Sequence, residues 1–355
     1  MRQHKIAVIP GDGIGIEVIT EAKRIMTHIE ETNPEIKFDY RDLPWGSEYY
    51  RQTGLMMPED GLDDIKDSDA ILFGAVGDPK IPDHITLQGL LLPMRRQYDQ
   101  GISIRPAYLY PGVRSPIKDK QAGDIDMVIF RENTEGEYAP VGGSLYSGTE
   151  HEIVVQTNVF TKRGTERIIE AAFEYCLQRN SKLKVTSVTK SNAQAHSMVF
   201  WDEVFDKVAA KYPQIQTESL LVDAACMDLV RWPENFDVIV ASNLFGDIMS
   251  DIAAVITGSM GLAPSANINP EREFPSMFEP VHGAGFDITG KGIANPIATF
   301  FAISMMLEHL GEHSIANELN DAIINSLTTR KVLTPDLGGT ASTSQVTDEI
   351  IKLMG

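Results

Sequence analysis

The chain has 355 residues, 43% hydrophobic and 23% charged, long enough for two ordinary domains or one large one and too apolar to be disordered, collagenous or mucin-like. Acidic residues outnumber basic ones 50 to 31, and the resulting net charge of −19 repels nucleic-acid phosphates and anionic lipid in the absence of a basic patch, of which there is none. Neither nucleic acid nor membrane is therefore expected as a partner.

In chain order, Arg2, His4 and Lys5 precede an apolar run of only Ile6 to Ile9, too short for a signal peptide, and no later run reaches the length of a membrane span. The run KIAVIP, 5–10, predicts a strand that stops at GDGIG, 11–15. Ile19, Ala22, Ile25, Met26 and Ile29 then recur at three- and four-residue spacing, which predicts the buried face of a helix. DAILFGAV at 69–76 predicts a second strand, followed by MVIF at 127–130, LKVTSVT at 183–189 and FDVIVAS at 236–242. Helical stretches at 162–179 and 193–211 separate the later strands, and 140–160 reads as hairpin. Strands alternating with helices predict an α/β fold on a largely parallel sheet. The apolar helix 297–311 ends at Gly311, with Met305 and Met306 as core filler. Cys176 and Cys226 lie among apolar neighbours and read as reduced, packed thiols, in keeping with a reducing compartment such as the cytoplasm. No linker, repeat or low-complexity tract marks a domain boundary.

Two glycine-rich segments imitate nucleotide sites. GDGIG follows a strand and opens a helix, but the dinucleotide fingerprint G-x-G-x-x-G needs glycine where Ile16 stands. GFDITGK at 285–291 has P-loop spacing, yet Gly292 replaces the required Ser or Thr and no strand leads directly into it. A Rossmann fold and a nucleotide hydrolase are both disfavoured.

Three constellations could carry chemistry. SNLFGDIMSD, 242–251, follows a buried strand and so lies at the carboxyl end of the sheet, where open α/β folds bind ligands. Asp247 and Asp251, four apart, share one helix face; they are either a solvated face or ligands of a hard divalent cation such as Mg²⁺ or Mn²⁺. Asp223, at the end of the strand-like SLLV, could add a third carboxylate. Arg95, Arg96, Arg105, Arg114 and Arg131 concentrate in an otherwise acidic chain, which suits forked recognition of a di-acid as well as surface ion pairing. Arg131 opens RENTEGEY, which contains Tyr138, and Lys190 ends a strand where a lysine can be desolvated into a base.

Taken together, IAVIPGDGIGIEV, RENTEGEY, SNLFGDIMSD and EPVHGAGFDITGKGIANP resemble the β-decarboxylating dehydrogenases, the family of isocitrate, 3-isopropylmalate, tartrate and D-malate dehydrogenases, in order and over nearly the whole chain. LPWGSEYY and DHITLQGLLLP are most similar to the tartrate and D-malate branch. The resemblance implies an isopropylmalate-dehydrogenase-like fold of two α/β domains with a largely parallel mixed sheet. Residues 1–104 with 257–355 would form the cofactor-side domain and 105–256 the substrate and dimerisation domain. It implies that Asp223, Asp247 and Asp251 hold Mg²⁺ or Mn²⁺, that Arg95, Arg105 and Arg131 grip the substrate carboxylates, and that Leu91 borders the substrate. Lys190 would take the proton of the C2 hydroxyl as hydride passes to nicotinamide, and Tyr138 would protonate C3 after CO₂ leaves. The counterparts of Lys190 and Asp223 come across a dimer interface in the family, which implies a homodimer with active sites shared between chains.

The segment 282–295 resembles the family's cofactor loop, with His282, Gly283, Ala284, Asp287, Ile288 and Asn295 toward the nucleotide. A carboxylate at Asp287 suits an unphosphorylated ribose and repels a 2′-phosphate, so NAD is expected over NADP. Gly89 and Leu91 stand where isocitrate enzymes carry serine and asparagine, which disfavours isocitrate because its extra carboxylate would be buried against leucines. The expected reaction is oxidative decarboxylation of D-malate, with tartrate possible. 3-Isopropylmalate is the rival substrate, and a non-catalytic regulatory subunit of the same fold is the rival of another class.

Overall fold

The structure is a computed structural model and describes all of residues 1–355. The chain opens with β1 (Arg2–Gly11), α1 (Ile14–Thr32), β2 (Ile36–Asp42), α2 (Ser47–Thr53), α3 (Gly61–Ile65), β3 (Ala70–Ala75), α4 (Asp83–Thr86) and α5 (Leu92–Gln97). It continues with β4 (Ile102–Tyr108), β5 (Asp126–Glu132), β6 (Gly142–Leu145), β7 (Ile153–Gln156), α6 (Lys162–Arg179), β8 (Lys184–Thr189), α7 (Ser197–Ala209), β9 (Gln216–Leu221), α8 (Val222–Arg231), β10 (Val238–Ala241) and α9 (Asn243–Ile256). The last elements are β11 (Pro264–Ile268), β12 (Ser276–Pro280), α10 (Ile297–His309), α11 (His313–Thr329) and α12 (Thr343–Met354).

Ten strands form one sheet in the order β2-β1-β3-β12-β11-β4-β5-β10-β8-β9, and β6 and β7 form a separate hairpin. Both flanks of the large sheet pair in parallel, and the junctions β12·β11, β11·β4 and β4·β5 are antiparallel. The result is a largely parallel mixed α/β sheet. The strand order is not the 3-2-1-4-5-6 of a Rossmann fold.

Hydrophobic burial divides along the same axis. One core gathers residues between Ile102 and Ile256, including Phe130, Trp201 and Val240. Two others gather residues between Ile6 and Tyr98 and between Leu262 and Met354. The predicted α1 face, Ile19, Ala22, Ile25, Met26 and Ile29, is buried in the second of these cores. The three antiparallel junctions carry the sheet from one core to the other. Register places Met277, Asn267, Ser103 and Arg131 in one row across β12, β11, β4 and β5. Paired residues share a face, so Arg105, two residues along β4 from Ser103, faces the same side as Arg131.

One local departure shapes the site. The segment Leu87–Leu91 between α4 and α5 is a turn of π-helix, with Leu92 N donating to Leu87 O. The wide turn brings Leu87, Leu91 and Leu92 to one cavity wall. Gly89 makes room on its other side, where a Cβ would lie 2.7 Å from Met56 Cγ.

Candidate active site

A cavity of about 240 Å³ opens at the carboxyl end of β5 and the start of α9, lined by Arg95, Arg105, Arg131, Tyr138, Asp247, Asp251, Glu279, His282 and Gly283, with Phe73, Leu87, Leu91 and Leu92 as apolar wall. Helix α9 begins after Ser242 and buries Phe245, Met249 and Ala253 against the core, so Asp247 and Asp251 emerge on the opposite face. Arg131 terminates a strand buried along nearly its whole length and is itself 1% exposed. Its guanidinium donates to Asn243 Oδ1 from Nε (3.0 Å) and Nη2 (2.7 Å) and ion-pairs with Asp247 through Nη1. Arg105 donates to Ser250 Oγ (2.7 Å) and Asp247 Oδ1 (3.2 Å), leaving its buried Nε without a partner. Arg95 pairs with Glu279 at 2.8 Å, and its Nε is likewise buried and unpartnered.

The charged groups of the cavity shift one another strongly. Burial raises an aspartate's carboxyl pKa, but Arg131 and Arg105 outweigh that for Asp247 and hold it at about 2. Burial and then the charge of Asp247 push the Asp251 carboxyl above its ordinary range. Burial lowers Arg105, and lowers Arg131 to about 10, with the neighbouring arginines adding to it. Three guanidiniums share the cavity with Asp247, Asp251 and Glu279, and the buried, unpartnered Nε atoms of Arg95 and Arg105 are donors that a bound acid would satisfy. Tyr138 donates to Asp247 Oδ2 at 2.7 Å, and burial followed by Asp247 raises its phenol to about 12, so it carries its proton at neutral pH.

The donor set suits a divalent cation. Mg²⁺ commonly takes one or two carboxylates plus water and substrate oxygens, and Asp247 and Asp251 offer two on one face of α9, where a cation would also relieve the raised Asp251. Within one chain, however, the three aspartates do not meet, and no group of three His, Cys, Asp or Glu residues forms a metal site. Asp223 lies in the first turn of α8, is exposed, and pairs with Lys190 Nζ at 2.5 Å; neither residue lines the cavity. Within one chain Lys190, just after β8, and Asp223, at the start of α8, pair with each other, as the expectation of a site shared between two chains leaves them free to do.

The 282–295 segment meets the cavity only at its beginning. His282 and Gly283 line it, and His282 Nε2 is buried without a partner, with burial lowering the ring's pKa so that it is neutral. A Cβ at Gly283 would meet nothing within 4 Å, so the backbone there faces open space. Such an exposed backbone beside an unsatisfied ring nitrogen fits an approaching nucleotide. Ala284 is buried, Ile288 packs beside Ile14 and Val18, and Asp287 is exposed. Asn295 is used internally, donating to Asp336 (2.9 Å) and accepting from Ile297 N (3.1 Å) at the start of α10.

Neither decoy is a phosphate loop. The concavity of GDGIG is filled by protein: Cβ atoms at Gly11 and Gly13 would lie 1.8 Å from Ala75 O and 1.9 Å from Ala284 O. GFDITGK is a series of turns with no helix directly behind it. Three residues of the site were not singled out in the sequence: Glu279 beside Arg95, Ser250 beneath Arg105, and Asn243, which holds the fork of Arg131. A signal existed for Glu279, a charge closing the apolar run before EPVHG; Ser250 and Asn243 read as ordinary polar helix residues.

A pocket with three buried arginines, two carboxylates one helical turn apart and a protonated tyrosine is the kind of site that handles a small acid. Residues 5–350 match the isocitrate/isopropylmalate dehydrogenase family, and the chain belongs to it. It is 50% identical over 350 residues to a probable tartrate dehydrogenase/decarboxylase of Agrobacterium vitis, covering 99% of this chain and 97% of that protein. It is 49% identical over 360 residues to the decarboxylating D-malate dehydrogenase of Escherichia coli (strain K12), covering 100% and 99%. The crystal structure of isocitrate dehydrogenase from Methylococcus capsulatus superposes with a TM-score of 0.88 at 33% identity over 99% of both chains. No helix is long and apolar enough to cross a membrane.

Proposed function

We propose that this protein catalyses the NAD- and divalent-metal-dependent oxidative decarboxylation of a (2R)-hydroxy di-acid, D-malate to pyruvate and CO₂ foremost, with tartrate also accepted. The observation that carries the reading is the cluster of Arg95, Arg105 and Arg131 around Asp247 and Tyr138, walled by Leu87, Leu91 and Leu92. The names of the relatives support the same chemistry.

In this reading Arg95 and Arg105, each with an unpartnered Nε, and Arg131, through its remaining N–H groups, hold the two carboxylates, and Asp247 and Asp251 would hold Mg²⁺ or Mn²⁺ together with Asp223 of the partner subunit. When bound, the cation would supply positive charge beside the C2 oxygen, and NAD would supply the hydride acceptor. Lys190 of the partner subunit takes the hydroxyl proton. The leucine wall excludes water from the electron-rich carbon. Tyr138 Oη, protonated and directed by Asp247 Oδ2, delivers a proton to C3. Asp287 faces the adenosine ribose and selects NAD over NADP, while His282 and Gly283 meet the nucleotide where the loop enters the cavity. Asn295 is a cofactor residue in this reading only if it exchanges its bond to Asp336 for one to the nucleotide.

Shared sites require a second copy of the chain. In support, Met227 and Val230 on α8, Ile248 and Val255 on α9, and Leu145 and Val154 on the β6–β7 hairpin are exposed apolar side chains in the region that carries Asp223. In this reading residues 1–104 with 257–355 form one domain and 105–256 the other; a separate core running from Ile102 to Ile256 supports a division near these bounds. Two free thiols suit the cytoplasm.

The apolar wall also suits the isopropyl group of 3-isopropylmalate, which keeps that substrate as the second reading. Comparing kcat/KM for D-malate, tartrate and 3-isopropylmalate with NAD and Mn²⁺ separates them. D-malate or tartrate should lead. Preference for 3-isopropylmalate overturns the substrate, and absence of NADH with all three overturns the enzymatic reading.

A further inference from the structure

The GDGIG turn, rejected as a phosphate loop, has a different task, set by what fills it. Gly13 has φ +55°, and a Cβ there would lie 1.9 Å from Ala284 O, so only glycine lets segment 282–295 lie this close. Across that contact Ile14 N donates to Ala284 O at 2.8 Å, and Gly285, at φ +51°, seats against Ile14 Cδ1. A second anchor lies one helical turn along. Glu17, in the first turn of α1, accepts from Gly290 N at 2.6 Å. Its other oxygen, Oε2, is buried with no partner, so the side chain is committed to this one bond.

Between the anchors the chain makes tight turns, with Ile288 N and Thr289 N donating to Gly285 O and Lys291 N to Ile288 O. Asp287 is carried at the exposed apex of these turns. The segment forms no helix or strand of its own; besides the two anchors, Ile288 packs beside Ile14 and Val18, and Thr343 N donates to Gly292 O at 2.9 Å. The Ala284 end is a backbone contact. The Gly290 amide itself is held by a single carboxylate.

We propose that Glu17 is a positioning residue for the nucleotide: through Gly290 it holds the turn that presents Asp287, without itself touching the cofactor. The assignment rests on the reading of 282–295 as the NAD loop. A preformed loop binds without first being ordered, and releasing one end transfers that ordering cost to the nucleotide.

The test uses the full-length protein, wild type, Glu17→Ala and Glu17→Gln, the last retaining one acceptor oxygen for Gly290 N. Hydrogen exchange of the Gly290 amide is measured without nucleotide, NADH Kd by fluorescence, and KM for the hydroxy acid and thermal midpoint in parallel. Glu17→Ala should speed Gly290 exchange and raise NADH Kd about tenfold, as expected for loss of a hydrogen bond to a charged group. Hydroxy-acid KM and thermal midpoint should stay at wild-type values, and Glu17→Gln should recover most of the NADH affinity. Unchanged exchange or unchanged Kd in Glu17→Ala overturns the assignment, as does an equal rise in Kd and hydroxy-acid KM. Wild-type protein that fails to bind NADH overturns the NAD reading and the assignment with it.

Discussion

Replacing Glu279 by glutamine probes how the pocket is held ready for an anion. Arg95 and Glu279 are 3% and 5% exposed and meet at 2.8 Å, and Asn267 Nδ2 donates to the same carboxylate oxygen at 2.8 Å. Glu279→Gln keeps the shape and an acceptor for one of those donors but leaves the Arg95 charge buried without its partner. Breaking a buried pair in this way costs about 3 kcal/mol, the low end of the range because the amide still accepts. With an unfolding entropy of about 2 cal/mol/K per residue over 355 residues, roughly 0.7 kcal/mol/K, that loss lowers Tm by about 4 °C. A bound di-acid supplies the missing negative charge to Arg95, so D-malate with Mg²⁺ should raise Tm more in the variant than in the wild type. Thermal unfolding followed by circular dichroism, with and without the di-acid, measures both effects. An unchanged Tm, or equal protection of the two proteins, would refute the view that Glu279 balances a charge kept for substrate.

Other perturbations read other parts of the site. Asp251→Asn removes the like charge next to Asp247, so the metal-free protein should be no less stable than wild type. The rise in Tm on adding Mn²⁺ should then be largely lost; a retained rise would place the ion elsewhere. His309 packs with its ring centroid 5.5 Å from that of Phe278, and burial, followed by the charge of Arg272, lowers its pKa from 6.5 to about 4. The unfolded chain therefore binds the proton first, so stability falls as pH drops from about 6.5 toward 4, by about 3 kcal/mol over the window. Urea unfolding of His309→Gln should show a flatter acid limb than wild type between those limits, and parallel limbs would remove His309 from the pH dependence.

Much of the flanking architecture is legible in the sequence because parallel, doubly buried strands are written as uninterrupted apolar runs, such as IAVI and VIVA. The centre of the sheet is not. Strand β4 carries Arg105 and Pro106, and β11 reads PSANI, with the polar Ser265 and Asn267 buried. Their apolar pattern is broken by the very side chains that build the cavity and its support. The π-turn at Leu87–Leu91 is hidden for a related reason: a run of leucines satisfies helical and π spacing alike. Arg131 and Asp247 could be nominated because one closes an apolar run and the other lies a turn into the helix that follows one, Arg105 because arginines cluster around it, and Tyr138 because it stands in RENTEGEY. Where such a side chain points is a separate matter. Lys190 stands at a strand end just as Arg131 does, yet it turns to Asp223. Glu17 carries no signal of its own in the sequence, because an acidic residue in a first helical turn is ordinary for dipole reasons alone, and only the return of residue 290 from far along the chain gives it a partner.

The account stands or falls on sites assembled from two chains. Lys190→Met and Asp251→Asn should each be inactive alone, because each of the two sites of a homodimer would lack one required group. Mixed and allowed to exchange subunits, they should regain about a quarter of wild-type NADH production from D-malate, since half the dimers are mixed and one site in each of those is intact. A mixture no more active than its separate components, with mixed dimers demonstrated by mass, would contradict the shared site.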